Sequence, residues 1–317
     1  MVSIKDGVDE MKRKLIKQGN QALTISIPSR WSKRYGLKPK DEIELEESGD
    51  ELIIRHNGEK EVSRIELNIT GLTKAIAQRY LIAAYKKGSD EIDVYFSPEI
   101  EHLRTGERLL TINFIQELVN NFIGVEIVWQ TRDFCKIKQI THIAPEDFDI
   151  VLRRVFLLTL SLAEETYELV KQKDKDWRTL LNKHDNINKF VNYAIRILNK
   201  QGFEENKSQY YYLLTELEEI ADLYTYLIRE CDEDIEFHKK TLEVFQEVND
   251  SIRTFYEFFY SFRKEKALKI IRDRERIFDK IHELIRTGGV ANNITLSRLF
   301  TVMVIILNLV ETRVGME

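Results

Sequence analysis

Two cysteines, four prolines and thirteen glycines are few for a chain of 317 residues. Cys135 and Cys231 stand alone with no CxxC, so neither a disulfide framework nor a zinc knuckle follows, and a reducing cytoplasm fits best. So little proline and glycine excludes long disordered linkers as a main feature. GxSxG, HExxH and Walker loops are all missing, as is a Cys–His pair in a recognisable context, so no enzyme is expected. The N-terminus is polar and charged, unlike a secretory leader. The longest apolar run, from Leu299 to Val310, is about 12 residues long and holds Thr301 and Asn308, too short to cross a bilayer. No membrane insertion is expected.

The hydrophobic content of 43% is ample for cores, and the length suits two or three domains. The net charge of −5 hides a sharp division. Residues 1–40 carry ten cations against three anions, a net +7, and residues 41–61 carry two cations against nine anions, a net −7. A basic face concentrated on a small β-module is the electrostatic footprint of a nucleic-acid binder. Leu15-Ile16-Lys17, Gly19-Asn20 and Leu23 to Ile27 read as strand, turn and strand, with Leu23, Ile25 and Ile27 alternating with Thr24 and Ser26. Pro28 ends the second strand. Ser29 is placed to cap a short helix through Tyr35, closed by Gly36. Ile43–Glu46 and Leu52–Arg55 are two further strands about a Gly49-Asp50 turn. Forty-odd residues with four short strands cannot bury a sufficient core, so residues 10–56 are expected to dimerise.

The run Leu15–Asn20, Ile25-Ser26-Ile27-Pro28, Trp31 and Tyr35-Gly36-Leu37-Lys38-Pro39-Lys40-Asp41-Glu42-Ile43 resembles the AbrB/SpoVT/MazE family. The resemblance implies a swapped-hairpin β-barrel dimer that binds DNA. The candidate DNA contacts are Lys12, Arg13, Lys14 and Lys17 on the first strand, with Arg30, Lys33 and Arg34 around the helix. The alternative is a dimerisation module whose lysines are merely solvated, since lysine is plentiful throughout the chain.

Polar residues His56–Glu61 mark a boundary, giving a first domain over 1–58. Residues 61–143 mix strands at 65–69, 92–96, 125–129 and 134–140 with helices at 71–87 and 108–122. Ile76, Tyr80, Ala83 and Ala84 form the apolar face of the first of these helices. This small α/β domain holds no Gly-rich phosphate loop and no catalytic constellation. A second boundary falls at Thr141–Asp147, where Pro145 and the following acids suit a helix start. From 146 to 317 the pattern is all helical, drawn at 147–172, 176–199, 207–234, 236–262, 264–287 and 293–314. Val155-Phe156 recurs as Val244-Phe245, and Asn186-Ile187-Asn188 falls opposite Arg276-Ile277-Phe278. Gly202 and Gly288-Gly289 precede the third helix of each set, so two three-helix repeats are expected. The last helix is apolar almost all round, so it is expected to be buried, within the chain between the two repeats in preference to against a partner.

Leu217–Leu223 together with His184–Phe190 resembles the PhoU family of phosphate-uptake regulators. The order of the three parts resembles the archaeal branch of that family. The resemblance implies two three-helix bundle repeats, a role in phosphate homeostasis, and acid motifs that bind a metal cluster in several members. Glu218 and Asp222, four apart on one helix face, are the candidate ligands for a divalent metal in the first repeat. The alternative is a salt-bridged helix face, because Asn186 and Asn188 stand where the family pattern puts acids. The six histidines lack ligand spacing and read as structural or exposed. Three functions remain open. The leading one is a cytoplasmic DNA-binding transcription regulator. The second is an interaction protein contacting a phosphate-transporter ATPase or sensor kinase. The third is a toxin-neutralising antitoxin, against which the large C-terminal part argues.

Overall fold

The structure, a computed structural model, describes residues 13–18, 22–48, 51–56, 62–141, 143, 147–172, 177–200, 205–230, 237–286 and 289–317. The expected turns at Gly19-Asn20 and Gly49-Asp50, and also Pro145, Gly202, Cys231 and Gly288, lie outside these residues. The chain divides into two compact units, Met1–Glu61 and Val62–Glu317.

In the first unit, β1 (Ile16–Gln18) and β2 (Ala22–Thr24) pair antiparallel, with Ile16 opposite Thr24 and Lys17 opposite Leu23. The strand expected through Ile27 stops at Thr24, because β1 offers only three residues to pair with. Helix α1 spans Ser29–Arg34. Pro28 occupies its cap position and no side chain caps it, so Ser29 is the first helical residue and not the cap. Gly36 ends the helix with a left-handed φ of +63°, and the Leu37 N–H reaches back to Ser32 O at 2.9 Å. Lys38–Asp41 then closes a tight turn through Asp41 N–H to Lys38 O at 3.1 Å. Strands β3 (Ile43–Ser48) and β4 (Glu51–His56) form a second antiparallel ribbon. The two ribbons remain separate two-stranded sheets.

The second unit begins with a four-stranded sheet in the order β5 (Arg64–Asn68), β6 (Glu91–Tyr95), β10 (Phe134–Gln139), β9 (Val125–Gln130). Strands β5 and β6 are parallel, joined by α2 (Lys74–Lys87), and the other pairings are antiparallel. Helix α2 buries Ala77, Leu81, Ala84 and Tyr85, whereas Ile76 and Tyr80, expected on the core side, are 44% and 50% exposed. Ala77, Leu81, Ala84 and Tyr85 join the sheet's hydrophobic core while α5 packs on the same helix, so the buried stripe lies about one residue along from the expected one. Residues 108–110, expected as helix, instead form β8, which pairs with β7 (Glu99–Glu101) before α3 (Thr111–Val119) starts. The inner sheet face buries Ile92, Val94, Val125, Ile137 and Cys135, whose thiol burial pushes up to about 12. On the outer face Arg64, Lys136 and Lys138 converge on Glu91 at 2.5, 3.3 and 3.3 Å. The Arg64 hydrogen bond above all holds the Glu91 carboxyl down at about 2.

Six helices follow: α4 (Asp147–Gln172), α5 (Arg178–Lys200), α6 (Lys207–Glu230), α7 (Lys239–Tyr260), α8 (Lys264–Ile285) and α9 (Val290–Val314). Helices α4–α6 pack on one another, α7–α9 do likewise, and the two bundles meet through α4 on α7 and α6 on α9. The repeat read from sequence falls on core positions, since Val155, Phe156, Val244, Phe245, Ile187 and Ile277 are all buried. Where the bundles meet, Tyr224 O–H donates to Asn249 Oδ1 at 2.5 Å and Asn249 Nδ2 donates to Ala163 O at 3.0 Å. Contrary to the estimate from the unbroken apolar run, Asn292–Val314 is long and apolar enough to cross a membrane by length and composition. In the fold α6, α7 and α8 take its apolar sides, burying Leu299, Val302, Met303, Ile306 and Leu309. The α/β part and the helices belong to one compact unit, although each keeps its own hydrophobic core.

Candidate nucleic-acid interface

Among the residues from 13 to 56 whose burial is described, none is buried. Leu15, Leu23, Leu45 and Leu52 are between 55% and 64% exposed. The β3–β4 register sets Ile43 against His56, Leu45 against Ile54 and Glu47 against Leu52, which gathers Ile43, Leu45, Leu52 and Ile54 on one ribbon face. Glu44, opposite Arg55, occupies the other face. A two-stranded ribbon is marginal on its own in water, and two of them with open apolar faces leave the unit short of a core.

The basic residues lie on this coreless scaffold. Arg13, Lys14, Lys17, Arg30 and Lys33 are exposed, and Arg34 closes α1. Lys12 lies outside the described residues. Lys14, Lys17 and Lys33 form no ion pair with another described residue. Arg30 and Lys33 are three apart on α1 and so neighbour each other on its surface. Trp31 and Tyr35 pack together on the same helix, ring centroids 5.3 Å apart. Lys17 stands directly opposite Leu23 across the β1–β2 ladder, so cationic and apolar positions interleave on that ribbon. Such exposed ammonium and guanidinium groups are suited to neutralising phosphates.

The second candidate site is in the first bundle. Glu218 is largely buried on α6, burial raises its pKa, and its nearest cation is Lys86 of α2 at 3.7 Å. Asp222 is held by His184 Nε2 of α5 at 2.5 Å, and His184 Nδ1 lies 3.4 Å from Asp185. Burial pulls the His184 pKa down, but Asp185 and Asp222 outweigh it and hold it at about 9. The ring is therefore protonated at neutral pH and donates to Asp222. His184 was missed as a partner because 38 residues separate it from Asp222 and only the packing of α5 on α6 joins them. Asn186 turns back to Asn182 O at 2.9 Å. This donor set does not fit a divalent cation: both carboxylates already face a protein cation. Among the described residues no group of three His, Cys, Asp or Glu side chains is placed to hold a metal ion. In the second bundle, Glu275 meets Arg274, and Arg276 bridges Asp273 and Glu247 at 2.9 and 3.1 Å.

No curated protein and no solved structure matches the chain. Residues 16–62 match the family described as antidote-toxin recognition MazE, bacterial antitoxin, so the coreless N-terminal segment is of the MazE/AbrB type.

Proposed function

We propose that this chain is a homodimeric, DNA-binding transcription regulator of the cytoplasm, without enzymatic activity, whose helical part senses or relays a cellular state. One observation carries the reading: the MazE/AbrB-type match falls on the unit in which no residue of described burial is buried. The separate β1–β2 and β3–β4 ribbons expose apolar faces that a second copy of the chain would cover, which supports a swapped-hairpin barrel built from both copies. Arg13, Lys14, Lys17, Arg30 and Lys33 would then each occur twice about a two-fold axis, suiting a pseudo-palindromic site. Lysines supply mainly phosphate contacts, and Arg13 or Arg30 can grip guanine bidentately. The two three-helix bundles support the PhoU-like reading of residues 146–317 and, through it, a role in phosphate uptake.

The test pairs light scattering with binding to a duplex from the chain's own promoter. A dimer that binds this duplex supports the proposal, and a monomer or a dimer indifferent to DNA overturns it. Two other readings retain support. The PhoU-like bundles favour a phosphate-transporter ATPase or sensor kinase as partner, and recovery of such a protein in a pulldown, without DNA binding, would select that reading. The matched family's description favours an antitoxin, which would be selected by tight binding of residues 1–61 to a toxin encoded beside the gene.

A further inference from the structure

Arg196 is fully buried, and no expectation from the sequence singles it out. It lies on α5 and reaches into the α/β part. Its Nη1 donates to Tyr85 O at 2.8 Å, and its Nη2 donates to Ser89 O at 2.8 Å and Gln139 Oε1 at 2.7 Å. Its guanidinium lies 4.9 Å from the Tyr85 ring centroid. Three residues on, Asn199 Nδ2 donates to Lys86 O at 2.8 Å, so α5 caps the carbonyl end of α2. Lys200 pairs with Asp90 and donates to Gln139 Oε1 at 2.6 Å. Its stem lies over Gly88, where an added Cβ would come within 2.6 Å of Lys200 Cγ. Lys86 to Glu218 at 3.7 Å completes the contact on the α6 side.

Apart from the Lys200 stem over Gly88 and the Tyr85 ring beside the Arg196 guanidinium, these links are polar or charged. The two hydrophobic cores remain distinct clusters, and among the described residues of the α/β part Ile123 and, at its C-terminal end, Ile143 pack with the bundle core. The side of α5 that runs through Asn188, Asn192 and Arg196 also carries three buried atoms without a partner: Asn188 Oδ1, Asn192 Oδ1 and Arg196 Nε. Water admitted on opening would satisfy all three and offset much of what the docked links contribute. A hydrophobic seam would resist opening in proportion to its apolar area. This one is held largely by directed polar links whose partners water can replace.

We propose that the α2–α5 seam, centred on Arg196, is a releasable polar joint: the α/β part undocks from the first bundle as a body while both hydrophobic cores stay folded. The joint gives the helical part a means of passing a change of state to the α/β part. Partly engaged, it would leave a buried guanidinium facing no acceptor, so the joint is either closed or hydrated.

Hydrogen exchange on the full-length chain tests this. The expected result is that amides at the end of α2 and at Ser89–Asp90 exchange through an opening that leaves the β6 and α4–α7 core amides protected. Raising salt from about 50 to about 500 mM should speed that opening alone. Arg196→Met should speed seam exchange by at least about tenfold with core protection unchanged, and Arg196→Lys, which keeps the charge but not the three-way reach, should fall between. Seam and core amides that accelerate together would overturn the proposal by making the whole unit one cooperative body. An Arg196→Met chain that folds with unchanged seam exchange would overturn it equally. If Arg196→Met does not fold, Lys200→Ala in the folded chain is the deciding variant, with the same two readings.

Discussion

The two units of this chain solve the problem of burial in opposite ways. The second unit owns two hydrophobic cores, with Phe156 packed among Phe255, Tyr256, Phe259 and Tyr260. The first owns none, and its leucines face outward. Their charges differ in the same sense: the second unit spends its ion pairs on itself, as around Glu91, while Lys14, Lys17 and Lys33 pair with no described residue. A segment that leaves apolar faces and several lysines uncovered within one chain is suited to partners. Here the apolar groups call for a second copy and the cations for a polyanion.

The largest expected effect breaks the first unit and spares the second. Leu23→Asp with Leu45→Asp should abolish both dimer and DNA binding, because each places a charge on a face that must be covered. Light scattering would report a monomer, while the main thermal transition stays in place. Loss of that transition would show that the units are not independent.

Phe156→Ala is the converse experiment. It should destabilise the helical part by about 3–5 kcal/mol, seen by denaturant melts, and leave the dimer intact.

A smaller effect concerns pH. His184 titrates at about 9 in the fold against its ordinary 6.5, facing Asp185 on its own helix and Asp222 and Glu218 on α6, where Glu218 in turn meets Lys86 of α2. A folded value above the unfolded one stabilises fully below pH 6.5, and the contribution is lost as pH rises through about 9. Helical stability should fall over that window by up to about 3 kcal/mol. In His184→Gln the fall should disappear, and a fall of equal size in that variant would acquit His184.

The smallest effect sharpens the account of the first unit. Gly36→Ala forces a side chain into a left-handed position and should weaken the dimer by about 1 kcal/mol, read from its dissociation midpoint by light scattering.

Much of the helical part was legible in the sequence because long amphipathic segments repeat their period many times. Helix α4 was bounded to the residue and α5, α7 and α8 to within about three. What was illegible depends on packing between distant elements. Residues 108–110 carry no signal of their own, and only Glu99–Glu101 makes them a strand. The buried stripe of α2 is set by the sheet core on one side and α5 on the other, both distant in sequence. His184 and Arg196 look like any polar residues of a charged helix, and their roles come from α6 and α2 lying beside α5. The candidate DNA contacts were legible as a cluster of charge, but the adjacency of Lys17 and Leu23 across the ladder needed the register.

The central claim, that the first unit grips DNA through its cations as a dimer, is tested most directly by the salt dependence of binding to a promoter duplex. With about 6 phosphates neutralised, log K should fall against log salt with a slope of about −5. Alanine at Lys12, Arg13 and Lys14 together should weaken binding and flatten that slope, with the dimer unchanged by light scattering. Binding indifferent to salt, or untouched by the triple substitution, would contradict the account and leave the basic half of the unit a solvated surface.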